Sequence, residues 1–194
     1  MTLVSAFVLL FLVMDPFGNI PMFAATLAPV PPGRRRRVLV RELGIALGLL
    51  VLFLFAGPAV LRTLGISEPS LSIAGGIILF LIALRMIFPS HGTLAEDVEG
   101  EPFIVPLAIP FVAGPSALAA VMLIMSADPA RWPTWLGALL LAWGTTAVIL
   151  LLANRLGRFF GRRGLIAVER LMGMILTAVA VEMFLRGLGA TLGG

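Results

Sequence analysis

A break rich in polar and helix-disrupting residues interrupts the first long apolar segment, in the stretch LVMDPFGNIPMF at positions 12–23. Asp15 supplies a carboxylate and Asn19 an amide, and the two prolines remove backbone donors from any helix there. Unpaired backbone groups cannot face lipid, so such a break must line protein or a polar cavity. These groups predict a small-ligand site that comprises Asp15, Pro16, Phe17, Gly18, Asn19 and Pro21.

A second break of similar composition occurs in the stretch AIPFVAGPSA at positions 108–117. The segments PFGNIP and PFVAGP carry proline, phenylalanine and proline in the same register, 94 residues apart. Glycine predicts a flexible joint here, and the proline and serine that follow it predict the start of a new half-helix. We expect this break to contribute Ala113, Gly114, Pro115 and Ser116 to the same site.

The two breaks predict two half-helix N-termini that converge near the middle of a membrane. Asp15 and Pro16 resemble an N-cap and a first helical position, although the half-helix could also begin shortly after Asn19. A helix N-terminus, with about half a positive charge, suits a substrate carboxylate, and Asp15 suits an ammonium group. The site therefore favours a small zwitterion. Asp15 could also carry a coupling proton or help to hold a sodium ion, and no other cofactor or metal is expected.

Long apolar segments must position these breaks. The chain of 194 residues is 60% hydrophobic and 12% charged, whereas soluble domains are about 45–50% apolar and about 25% charged. Because no segment is left over for a soluble domain, residues 1–194 form a single transmembrane domain. The chain has no cysteine, which excludes disulfides and thiolate metal sites. Six segments are long enough to cross about 30 Å of hydrocarbon: about 2–29, 38–61, 69–88, 104–127, 134–153 and 165–188.

The distribution of arginine predicts the orientation. The basic residues are all arginines, and most flank the first and fifth connections between spans. The positive-inside rule places these connections in the cytoplasm and both termini outside. The expected partners are thus the lipid bilayer and a small solute, not nucleic acid. The two arginine groups are Arg34, Arg35, Arg36, Arg37 and Arg41, and Arg155, Arg158, Arg162, Arg163 and Arg170.

The two halves of the chain resemble each other. GIILFLIALRMIF, which begins at Gly76, aligns with GMILTAVAVEMF, which begins at Gly173. Repeat one would cover about 1–90 and repeat two about 104–194, joined by an acidic cytoplasmic connection at about 90–103. Three spans per half place the second repeat upside down relative to the first. The predicted fold is an all-α integral membrane protein of six transmembrane helices in two inverted three-helix repeats, with helices one and four discontinuous.

Inverted repeats with interrupted helices are typical of secondary transporters. A passive channel, or an efflux protein for another small polar solute, is the alternative. Catalytic motifs and closely paired carboxylates are absent from the predicted spans, so we do not expect an enzyme. Glu182 lies inside the sixth span and is a second candidate for ion coupling, although Arg186, four residues on, could pair with it.

The two breaks, together with the stretch GISEPSLSIAGGIILFLIAL, resemble the MarC family of six-span bacterial inner-membrane proteins, also called the neutral amino acid transporter family. The resemblance covers essentially the whole chain. It implies a bacterial or archaeal inner membrane and ion-coupled transport of glycine and other small neutral amino acids. We therefore expect transport of amino acids of the glycine and alanine type by alternating access. It maps the family motif D-P-x-G-N-x-P onto Asp15, Pro16, Gly18, Asn19 and Pro21, and the motif A-G-P-[SG] onto Ala113 to Ser116.

Overall fold

The computed structural model describes residues 1–88 and 112–192, and all regular structure within these ranges is helical. The expectation of an all-α chain is confirmed for these residues. The predicted acidic connection and the first part of the predicted fourth span lie outside the described residues. The helices are α1 (Leu3–Met14), α2 (Asn19–Leu27), α3 (Pro32–Leu64), α4 (Glu68–Ile87), α5 (Pro115–Ala127), α6 (Trp132–Leu151) and α7 (Ala153–Leu192), with a 3₁₀ turn at Pro129–Arg131.

Four of the described helices are long and apolar enough to cross a membrane: α3, α4, α6 with the turn before it, and the Arg163–Leu192 part of α7. The apolar helices α1 and α5 have 12 and 13 residues, which corresponds to about 18–20 Å at 1.5 Å per residue. Neither spans a bilayer alone. α1 and α2 follow one another along the predicted first span, and the predicted break lies between them.

Two helices extend beyond the apolar segments that the sequence marks. α3 begins at Pro32 instead of about 38, which places four consecutive arginines inside its first turns. α7 runs from Ala153 to Leu192 across a kink at Gly161, where φ is 61° and ψ is 174°. Hydropathy detects only the part of a helix that lies in hydrocarbon. Arginine is a good helix former, so a helix can continue into the polar interface.

The interface between α4 and α7 is the most extensive in the described chain. Its two helices approach closely at glycines, as small residues allow in membrane helices. A Cβ atom at Gly76 would lie 2.8 Å from the carbonyl oxygen of Ala180, and one at Gly173 would lie 3.1 Å from that of Ala83. The two contacts are reciprocal, because the sequence alignment of the halves matches Gly76 with Gly173 and Ala83 with Ala180.

The remaining helices pack around this pair with small residues inside and large apolar residues outside. α1 packs against α6 and α3 against α5, while α1 also contacts α5. Buried alanines line these interfaces, and leucines on the outer faces are more than half exposed, as expected for surfaces covered by lipid chains. The outward-facing leucines include Leu52, Leu81, Leu141 and Leu185.

Candidate functional site

The break between α1 and α2 is centred on Asp15, which ends α1 in the left-handed conformation with φ 42° and ψ 63°. Its backbone N–H donates to the carbonyl oxygens of Phe11 and Leu12, both at 3.1 Å. Asp15 is the only non-glycine residue with positive φ in the described chain. Aspartate tolerates this conformation better than most residues, yet it still costs about 1–2 kcal/mol. The chain therefore accepts strain to place this carboxylate.

Polar groups of the break satisfy one another. The carboxylate Oδ1 of Asp15 accepts a hydrogen bond from the backbone N–H of Gly18 at 3.2 Å. The side-chain amide of Asn19 donates to the carbonyl oxygen of Met14 at 2.9 Å, one of the carbonyls that the end of α1 leaves without an intrahelical partner. Asp15 is only 7% exposed and Pro16 is buried. Asp15 and Asn19 thus hold the two helix ends together.

The beginning of α2 corrects one prediction and supports its alternative. The expected N-cap role of Asp15, with Pro16 as the first helical residue, is not what the structure shows. Residues 16–18 form a turn and α2 begins at Asn19. The reason is that the N–H of Asp15 completes the last turn of α1, so the half-helix begins one turn later. The Asp15 carboxylate still accepts from an N–H three residues on, as an N-cap side chain would.

Gly18 leaves no space for a side chain. A Cβ atom built at this position would collide with the carboxylate oxygen Oδ2 of Asp15 and would lie within contact distance of the methyl group of Met86. The backbone of Gly18 therefore lies close against the Asp15 carboxylate. Phe17 is half-buried, and its ring meets that of Phe11 edge to face, with centroids 6.3 Å apart.

The second motif forms the N-terminus of α5. Gly114 is the N-cap in extended conformation and Pro115 is the first helical residue, as the sequence predicts. No side chain caps this end. Ala113 and Ser116 are 0% and 3% exposed, whereas Pro115 is exposed. α5 packs against α1, so both motifs belong to neighbouring helices. Pro21 lies in the first turns of α2.

Two residues from other helices approach the break. Thr146 of α6 is fully buried, and its hydroxyl lies 3.9 Å from the sulfur of Met14. Its neighbour Thr145 is exposed and donates to the carbonyl oxygen of Leu141 in its own helix. Glu169 of α7 is half-buried and lies close enough to Asp15 for the two negative charges to repel. A second carboxylate therefore lies within electrostatic range of the break.

Glu169 is a candidate site residue that reasoning from the sequence missed. It lies within the predicted sixth span, but Arg170 next to it made the pair resemble the cytoplasmic end of that span. The sequence did contain evidence for Glu169, because a carboxylate inside an apolar span is energetically costly and marks a functional position by default.

Two further carboxylates of the described chain have arginine partners. Glu182 is 57% exposed, and Nε of Arg186 lies 2.6 Å from its Oε1, so the ion pair that the sequence suggested is present. The coupling role of Glu182 stays a prediction. Glu42 of α3 is only 1% exposed and pairs with Arg41, whose Nη2 lies 2.9 Å from its Oε1. Within the described residues, no group of three acidic or histidine side chains could hold a metal ion.

A family model described as MarC family integral membrane protein matches residues 1–192. The chain belongs to the MarC family. This confirms the resemblance carried by the two motifs, and it makes the chain an integral membrane protein.

Relatives in the family match over nearly their whole length. The chain is 50% identical over 188 residues to the UPF0056 inner membrane protein YhgN of Escherichia coli K12, covering 96% of this chain and 95% of that one. It is 47% identical over 190 residues to a UPF0056 membrane protein of Buchnera aphidicola, covering 96% of both chains. A UPF0056 membrane protein of Chlamydia muridarum is 31% identical over 182 residues, covering 93% and 89%. No solved structure matches this MarC chain.

Proposed function

We propose that this MarC protein is a secondary transporter of small neutral amino acids of the glycine and alanine type, coupled to sodium or protons. It works by alternating access across the bacterial inner membrane, the location that the name of the Escherichia coli relative gives. The observation that carries the proposal is the buried break at Asp15, where a carboxylate, a glycine and an asparagine separate two apolar half-helices.

The packing of the break supports a ligand site instead of a simple kink. A kink needs no carboxylate, and a charged side chain near the membrane centre costs at least about 2.5–3.5 kcal/mol. Asp15 accepts only one described hydrogen bond, from Gly18, while a carboxylate can accept about four. The remaining acceptor capacity suits a substrate ammonium group or a cation. The burial of Asp15, Ala113 and Ser116 fits a closed state of such a transporter, which a substrate would enter when the helices part.

The inverted repeat is part of the proposal. In this arrangement the first span is α1 together with α2, the second is α3 and the third is α4. The fourth span is the segment that ends in α5, the fifth is α6 and the sixth is α7. Taken as whole spans, the first span contacts α6 through α1 and the fourth span contacts α3 through α5, which is the pairing that an internal two-fold axis would give. The reciprocal contacts of Gly76 and Gly173 support the same axis.

The contacts at the helix ends support the proposed orientation. Nη1 of Arg131, before α6, donates to the carbonyl oxygen of Met1 at 2.8 Å, so the N-terminus and the α5–α6 connection share one side. Arg35 and Arg155 line one cavity, so the arginine-rich α2–α3 and α6–α7 connections also share a side. The positive-inside rule makes the second side cytoplasmic and leaves both termini outside.

Uptake into proteoliposomes tests the proposal. Purified protein is reconstituted, and radiolabelled glycine and alanine are supplied under an imposed sodium or proton gradient, with empty liposomes as the control. We expect saturable accumulation above the external concentration that follows one of the two gradients. Flux that only equilibrates the solute would indicate a channel instead, and an absence of flux from correctly folded protein would contradict the substrate assignment.

A pair of glutamate variants in α7 tests which carboxylate takes part in coupling. Glu169→Gln removes the negative charge beside Asp15, so a coupling cation should bind about ten-fold more weakly, which corresponds to about 1.4 kcal/mol for one lost interaction. Glu182→Gln removes an equal charge from an exposed ion pair, where the expected effect is small. The measurement is the ion concentration that gives half-maximal uptake. Equal values for the two variants would remove Glu169 from the site.

A further inference from the structure

A cavity of about 500 Å³ lies between the connections α2–α3 and α6–α7, away from the break at Asp15. Three arginines line it, together with apolar residues of four helices. It therefore combines positive charge with a hydrocarbon-like wall. The lining arginines are Arg35, Arg36 and Arg155, and the apolar wall includes Phe23, Leu27, Leu39, Leu151 and Leu152.

The arginines of this cavity differ in their partners. Arg35 is anchored, because its Nε and Nη2 donate to the carbonyl oxygens of Val30 and Ala28, both at 2.8 Å. These bonds use two of its five N–H donors. Arg36 and Arg155 make no ion pair or side-chain hydrogen bond with any described residue. One guanidinium is thus positioned by the backbone, and two more are available to a ligand.

The helix that begins at this cavity adds positive charge. Pro32, the first residue of α3, lines the cavity, and no acidic residue occupies the first turn of this helix. A helix N-terminus attracts anions and repels the arginines placed there. An anion in the cavity would offset that repulsion, whereas a neutral or cationic ligand would not.

We propose that this cavity binds the phosphate headgroup of an anionic phospholipid, with the acyl chains along the apolar wall. Leu151 and Leu152 are each 39% exposed beside the arginines, which suits an amphipathic ligand better than a small soluble anion. The site lies where α3 begins and α6 ends, and both helices are long and apolar enough to cross a membrane. The inference is independent of the proposed transport function.

Lipid titration of the full-length protein in detergent tests the inference, with the dissociation constant read by native mass spectrometry. Short-chain phosphatidylglycerol is compared with phosphatidylcholine of the same chain length and with glycerol phosphate, which lacks chains. Arg36→Gln and Arg155→Gln remove cavity arginines, and Arg37→Gln is the matched control because it removes the same charge from the neighbouring position outside the cavity lining. All three side chains are exposed, and elution in size-exclusion chromatography checks folding.

We expect phosphatidylglycerol to bind more tightly than either comparison compound. Arg36→Gln and Arg155→Gln should each weaken it about ten-fold, as the loss of one charge-assisted hydrogen bond predicts. Arg37→Gln should weaken it about two-fold or less, since only general attraction to the lipid charge is lost. Equal losses for all three variants would overturn the proposal in favour of diffuse surface attraction. Equal binding of phosphatidylcholine, or of glycerol phosphate, would overturn it as well.

Discussion

Replacing Asp15 with asparagine is expected to remove gradient-driven accumulation of glycine or alanine while leaving the fold intact. Asparagine has the shape of aspartate, tolerates the left-handed conformation observed at φ 42°, and keeps a side-chain oxygen for the N–H of Gly18. Only the charge is lost. If that charge holds a substrate ammonium group or a coupling ion, its loss costs about 1.5–3 kcal/mol, or about 10- to 100-fold in transport at low substrate concentration.

Comparing Asp15→Ala with Asp15→Asn separates the effect of the carboxylate charge from the effect of the side-chain shape. Alanine also loses the oxygen that accepts from Gly18, and it disfavours positive φ, so this variant should be less stable than Asp15→Asn and equally inactive. Thermal unfolding in detergent and uptake in proteoliposomes are measured on the same preparations. Asp15→Asn protein that concentrates substrate like the wild type would show that the carboxylate has no part in coupling.

The sequence was sufficient to locate the break but not to assign the conformation of its first residue. Proline, glycine and aspartate in an apolar segment predict an interruption on steric and solvation grounds, and the interruption is there. An aspartate before proline can, however, either begin a helix as N-cap or end the preceding helix in left-handed conformation. The hydrogen bonds from its N–H to Phe11 and Leu12 decide for the second role, and such bonds depend on the geometry of α1.

Contacts between distant segments account for the other differences. Glu169 is 154 residues after Asp15 in the chain, and only the packing of α7 against α1 and α2 brings the two carboxylates within electrostatic range of each other. Glu42 of α3 is buried to 1% exposure because α6 packs over this part of α3, where Trp143 donates to the carbonyl oxygen of Leu43. The glycines of α4 and α7 can be recognised in the sequence as small residues. The atoms that they contact are known only once the two helices are packed together.

Gly18→Ala is expected to damage the site more than any other substitution that adds a single methyl group. The added Cβ has no room beside Oδ2 of Asp15, so the carboxylate must move and its hydrogen bond to the N–H of residue 18 must stretch or break. Overpacking of this kind costs about 1–3 kcal/mol, which corresponds to about 3–10 °C in unfolding temperature for a domain of this size. Uptake should fall to background, because the displaced carboxylate is the proposed ligand.

A control substitution at another glycine and a double variant test whether the clash with Asp15 causes that damage. Gly48 in α3 faces open space, so Gly48→Ala adds the same methyl group and should leave stability unchanged or raise it by up to about 1 kcal/mol through helix propensity. Asp15→Ala removes the atom that the new Cβ meets. The double variant Asp15→Ala/Gly18→Ala should therefore be more stable than the sum of the single effects predicts, by about 0.5–3 kcal/mol for directly contacting residues. Strict additivity would show that Gly18 and the Asp15 carboxylate do not touch, and the proposed geometry of the break would then be wrong.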